Sequence, residues 1–156
     1  MAKEIKLRSF NKQTQTFYYF KNGRYYSNSD CTITISERIC FEFDWKNAER
    51  YTGLKDKNGV EIYEGDIVEH IRGYVTYDEF SDPYCPTWDR TVTIIGRVVF
   101  YPSKGYQING FDTATDDVEG GFIYKNRKYC SLPSRISVFS QAIGNIHKNH
   151  ELLEDK

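Results

Sequence analysis

Polar and apolar residues alternate at period two along much of this chain, and the 3.6-residue period of an amphipathic helix is scarce. Ile5, Leu7 and Ser9 alternate with Lys6 and Arg8, the mark of a half-buried strand. Two aromatic runs follow, residues 17–20 and 25–26, on either side of Asn22 and Gly23. Asn-Gly between such runs is the strongest short hairpin signal, because both central residues of the turn need φ > 0. A two-residue loop pairs Lys21 with Arg24, Phe20 with Tyr25 and Tyr19 with Tyr26. Further on, Cys31, Ile33 and Ile35 fall on one strand face, and Phe41, Phe43 and Trp45 form the next such set. The stretch DWKNAER suits a single helical turn with Asp44 as its cap.

Residues 51–68, YTGLKDKNGVEIYEGDIV, hold Gly53, Gly59 and Gly65 six positions apart. Asn58 with Gly59 makes one tight turn and Glu64 with Gly65 another, leading into Asp66 and an apolar pair. Turn chemistry accounts for each Gly, Asn and Asp here, so the segment reads as scaffold rather than binding site. Residues 77–91 crowd prolines, acids and aromatics into what reads as a long loop. The run VTIIGRVVFY is the most strand-like in the chain, and Gly96 inside it suggests a bulge or bend. GYQING is a short strand, FDTATDDVEGG a loop, and FIYKNRKYC a hairpin about Asn126 and Arg127. RISVFSQAIGNI is a late strand, and NHELLEDK holds a short terminal helix.

The chain has 156 residues, enough for one compact unit with a core that needs no metal or disulfide. Aromatics reach 16%, with 13 tyrosines, which suits half-buried sheets and argues against disorder. Net charge is -1 from 21 basic and 22 acidic residues, so a generic polyanion binder is disfavoured. The N-terminus lacks a signal-peptide core, and no apolar run approaches the ~18 residues of a membrane helix. A soluble, cytoplasmic protein without membrane contact is expected, with Cys31, Cys40, Cys85 and Cys130 as free thiols.

Candidate chemistry is thin. His147 and His150 stand near the tail without the further ligands zinc needs, and read as two exposed imidazoles. No nucleophile elbow, phosphate loop or dinucleotide fingerprint occurs. The acidic clusters in 77–91 and 112–119 miss calcium-loop spacing. No catalytic, metal-binding or cofactor-binding residue is assigned, and no enzyme is expected. The hairpin carries more weight. Its aromatics fall on both faces, so one face enters the core and the other needs a cover. Tyr18, Tyr19, Lys21, Arg24, Tyr25 and Tyr26 form the candidate interaction surface. Self-association is the first reading, and the second is a nucleic-acid-binding SH3-like module that stacks single strands on the hairpin aromatics with Lys21, Arg24, Arg8 and Lys12.

Three pieces, IKLRSFNKQTQTF, YTGLKDKNGVEIYEGDIV and AIGNIHKNHELL, stand in an order and spacing that resembles the YopX-like family of phage and prophage proteins. The resemblance spans about residues 4–153. It implies a mainly β, overall α+β fold. A small N-terminal α+β subdomain over 1–50 would be followed by an SH3-like β-barrel with a short tail over 51–156. Gly53, Asn58, Gly59, Tyr63, Gly65, Asp66, Gly144 and Asn145 carry the structural motif. The resemblance brings no catalytic residues and no cofactor. It implies an accessory role in the host cytoplasm with an unidentified phage or host protein as partner.

Overall fold

A computed structural model describes residues 5–34, 43–76, 87–113, 129–131 and 140–154. Ten strands occupy most of them: β1 Lys6–Asn11, β2 Thr16–Lys21, β3 Arg24–Tyr26, β4 Glu49–Lys55, β5 Glu61–Tyr63, β6 Asp66–Thr76, β7 Thr87–Tyr101, β8 Gly105–Thr113, β9 Tyr129–Ser131 and β10 Ser140–Asn145. They form two five-stranded antiparallel sheets, ordered β3-β2-β1-β4-β5 and β10-β6-β7-β8-β9.

The hairpin registers as its turn chemistry predicts. Asn22 (φ 51°) and Gly23 (φ 78°) take the two left-handed positions. Lys21 pairs Arg24, Phe20 pairs Tyr25 and Tyr19 pairs Tyr26. In β1 Lys6 and Arg8 are more deeply buried than Leu7, Ile5 is exposed, and Ser9 on the Leu7 face is buried as well. The charged set has partners inside, as described below, and hydropathy alone assigns it to solvent.

Residues 51–68 run strand, turn, strand, turn, strand. The second turn passes the chain from the first sheet to the second. The first sheet therefore extends to Tyr63, with β4 paired to both β1 and β5. No α+β subdomain is seen in the N-terminal part among the described residues. Among the described residues the N-terminal elements are all strands, and DWKNAER makes a turn rather than a helix. Asp44 does cap it, accepting the amides of Lys46 (3.1 Å) and Asn47 (3.2 Å). The second sheet is open in its described pairing, with β10 and β9 as its edges, so no closed barrel is seen.

Other expectations shift. Residues 87–91, read as loop, belong to β7. Gly96 lies in regular register, opposite Val68 and Gly110. Its reason is close approach: an added Cβ would meet the Ile108 side chain at 2.6 Å and the Asn109 carbonyl at 2.8 Å. The register shift between β6 and β7 falls instead at Tyr74 and Val75. The tail ends in one 3-10 turn, His150–Leu153. Strand expectations for residues 35–42 and the hairpin at Asn126 and Arg127 lie outside the described residues.

The apolar core gathers Ile62 from the first sheet with Val68, Ile94, Val98 and Ile108 from the second. Leu54 and Tyr106 pack against it. Both sheets share this core, because each buries one face against the other.

Candidate functional site

The polar interior lies at the seam between the sheets. Arg8, 6% exposed, stands at its centre. Its Nε donates to Glu49 Oε2 (2.6 Å), and its Nη2 donates to Asp66 Oδ1 (2.5 Å) and to the Glu64 carbonyl (3.2 Å). The rings of Phe17 and Tyr63 lie 4.4 and 4.6 Å from the guanidinium carbon. A planar cation between two π faces, with acceptors placed around it, is an environment that Arg fits and Lys does not. Glu49 and Asp66 are 7% and 5% exposed, so the three charges depend on one another.

Each partner is set by its own element. Asp66 opens β6, and its Oδ2 accepts the Tyr63 amide (2.8 Å), closing the turn at Glu64 and Gly65. Gly65 has φ 81°, and a Cβ there would overlap the Glu49 carboxylate. Burial pushes the Asp66 carboxyl above its ordinary value, while Arg8 and the Tyr63 amide pull it back in part. Burial lowers the Arg8 guanidinium, but Asp66 and Glu49 more than offset this and hold it above its ordinary value.

Glu49 has a second partner. His147 Nε2 lies 2.9 Å from Glu49 Oε1. A carboxylate accepts, so Nε2 carries the proton. The imidazole stacks on Phe10 (4.6 Å, 9° between planes) and meets Phe17 edge-on at 5.9 Å. His147 is thus half-buried, unlike the exposed imidazole its sequence position suggested, whereas His150 is exposed. Among the described residues no three His, Cys, Asp or Glu side chains are grouped to hold a metal ion.

A second polar chain flanks the first. Lys6 Nζ donates to Glu61 Oε2 (2.5 Å) and to the Ser29 carbonyl (2.6 Å). Tyr63 Oη donates to the same Glu61 oxygen (2.9 Å). Burial and the Glu61 charge raise the Tyr63 phenol far above its ordinary value. Burial also raises Tyr19 and Tyr106.

The remaining motif residues shape turns and irregularities in strands. Gly53 (φ 86°) lies inside β4 at its register shift against β5, and Gly59 (φ 81°) is in the turn that follows. Asn58 gives its amide to Asp56 Oδ1 (2.8 Å), which also accepts the Val60 amide (2.9 Å). Asp56 Oδ2 reaches across to the Ala142 amide of β10 (3.0 Å). Gly144 sits at the β10 register shift, where a Cβ would press on Asn149. Asn145 Oδ1 accepts the amides of His147 (3.0 Å) and Lys148 (3.1 Å).

The hairpin surface is divided. Tyr19 turns inward against Tyr63 (5.9 Å). Tyr25 joins Phe20, Phe43 and Trp45, with Phe20 and Trp45 rings 4.9 Å apart. Phe43 is buried, and Trp45 remains 52% exposed. Tyr18, Lys21 and Tyr26 are half-buried and Arg24 is exposed. The second face of the hairpin is therefore covered in part by the chain's own residues 43–45. Cys31 is a free, half-buried thiol.

A cleft of about 430 Å³ opens at the same seam. Glu49, Glu64, His147 and Phe10 reach it from one side, and Arg97 and Phe100 from β7. Sequence reasoning assigned none of these a site. The signal that was present is Arg8 on an alternating strand, with two acids, Glu49 and Asp66, that come from distant positions.

Among the described residues no helix is long and apolar enough to cross a membrane. Comparison with curated proteins finds no matching relative. A family model described as YopX protein matches residues 6–154, which include both sheets and the seam. The chain belongs to the YopX family.

Proposed function

We propose that the chain is a phage or prophage accessory protein working in the host cytoplasm as a non-enzymatic interaction module, and that it associates with copies of itself through the outer face of the hairpin. The observation that carries this reading is Trp45: it stays 52% exposed although Phe20, Tyr25 and Phe43 surround it. An exposed Trp on an aromatic cluster has the composition of an interface centre. The buried charges of the seam support a structural role, since Lys6, Arg8, Glu49 and Asp66 are held by one another, by Glu61 or by backbone. An SH3-like ancestry for the second sheet is part of the same proposal. The Glu64, Gly65 and Asp66 entry into a long first strand supports it.

The test is sedimentation velocity across concentration for wild type and Trp45→Ser. The wild type is expected to form dimers or larger species at micromolar concentration, and the variant to stay monomeric. A wild type that remains monomeric at 100-fold higher concentration overturns self-association. Salt-sensitive binding of an oligothymidylate that Arg24→Glu abolishes would replace it with the nucleic-acid reading, for which Tyr26 lies on the same hairpin face as Arg24.

A further inference from the structure

The dipeptide Asn-Gly occurs three times, at Asn22, Asn58 and Asn109. Asn is a thermally labile residue, and a following glycine puts no side chain beside the nitrogen that can attack it. The dipeptide alone treats the three positions alike, and the fold separates them.

Asn109 lies within β8, opposite Arg97 of β7 and Tyr129 of β9. Gly110 is pressed on β7, where an added Cβ would overlap the Ile95 carbonyl. A strand paired on both sides has no freedom to turn about the Asn Cα–C bond. Asn58 and Gly59 are exposed, as Asn22 and Gly23 are, so exposure does not divide these two pairs. Hydrogen bonding does. The Gly59 amide donates to the Asp56 carbonyl (3.0 Å), and the Asn58 and Val60 amides on either side donate to Asp56 Oδ1 (2.8 and 2.9 Å). Asn22 and Gly23 form the two-residue loop of the hairpin, with φ 51° and 78°. The ladder closes between Lys21 and Arg24, and no turn or loop bond of the described backbone uses the Gly23 amide. A Cβ on Gly23 would meet nothing within 4 Å, so the space around that nitrogen is open.

We propose that Asn22 is a site of spontaneous modification, at which the hairpin turn converts asparagine to aspartate and isoaspartate while Asn58 and Asn109 are spared. The Gly23 nitrogen gives its proton to hydroxide, and its electron pair forms a bond to Asn22 Cγ. The Cγ–Nδ2 bond breaks, and the nitrogen takes a proton from water and leaves as ammonia. Water then opens the five-membered imide at either carbonyl. Nothing is oxidised or reduced: one water enters and one ammonia leaves. Aspartate keeps the turn, because Asp-Gly suits the same two left-handed positions. It sets a negative charge between Lys21 and Arg24. Isoaspartate runs the main chain through Cγ and lengthens the loop, so Lys21 and Arg24 lose their pairing and β3 lets go of β2. Tyr25 then leaves the ring cluster of Phe20, Phe43 and Trp45. This chemistry does not depend on the chain associating with itself.

Peptide mapping by mass spectrometry tests it on the full chain, held in mildly alkaline buffer with and without urea and digested in acid. Each site is followed by the mass gain that marks NH2 replaced by OH. In the folded chain Asn22 is expected to convert about tenfold faster than Asn58, the worth of one hydrogen bond on the attacking amide, and Asn109 to stay intact. In urea the three rates should draw together. Asn22→Asp should remove nearly all of the gain seen in the folded chain, and Asn58→Gln should leave it unchanged. Hydrogen exchange on the separated products is expected to show β3 unprotected in the isoaspartate form and protected in Asn22→Asp. Conversion of Asn58 or Asn109 as fast as Asn22 in the folded chain overturns the proposal. So does an Asn22 that converts in urea and stays intact when folded.

Discussion

Arg8 shows what a single residue decides in this fold. It joins β1 to Glu49 of β4 and Asp66 of β6, and its two flanking rings come from β2 and β5. Removing it leaves two buried carboxylates without their cation, which costs far more than the pair gains over an apolar replacement. Arg8→Met is therefore expected to lower unfolding stability by roughly 3–5 kcal/mol, read from urea denaturation. Adding Glu49→Gln and Asp66→Asn should recover part of that loss, because neutral amides cost less to bury than unpaired charges. A loss below about 1 kcal/mol in the single variant would show that the three charges do not depend on one another.

At the scale of elements, the strands are held in place by side chains that cap the turns between them. Asp56 is the clearest case: one oxygen closes its own turn and the other takes the Ala142 amide of β10. Lys57 adds a backbone bond from the same turn to the Ser140 carbonyl (2.9 Å). Asp56→Ala should strand these amides, at roughly 1–3 kcal/mol for each buried donor left unmade. Hydrogen exchange is expected to quicken at Val60 and Ala142 together, while the β2 and β3 amides keep their protection. Exchange that quickens at Val60 alone would mean that Asp56 serves its turn and does not hold β10.

For the whole molecule, the core and the seam draw residues from both sheets, so the two are expected to unfold together. The buried phenols give this a pH signature. Tyr19, Tyr63 and Tyr106 all have pKa values raised by burial. A raised folded value means the unfolded chain loses its protons first, near pH 10. Their contribution to stability is thus intact below about pH 10 and is lost as pH climbs through the folded values. The urea midpoint should stay level from pH 8 to 9 and fall steeply above 10, with tyrosinate absorbance rising in step with unfolding. A midpoint unchanged at pH 11 would contradict the burial of these hydroxyls.

Local chemistry determined much of this by itself. Asn22 with Gly23 set a hairpin register, Gly59 and Gly65 set chain reversals, and alternation set strands, because each depends on φ and on neighbours close in the chain, whereas Gly53 lies inside β4 at its register shift against β5. Only the tertiary structure decided which face of β1 is inside. Period two marks two faces but ranks them by hydropathy, and here Lys6 and Arg8 go inward because Glu61, Glu49 and Asp66 arrive from 41 to 58 positions away. Sequence distance likewise hid the role of His147, whose partner Glu49 is 98 residues earlier. Long-range pairing of charges leaves no short-range pattern, so no window along the chain contains it.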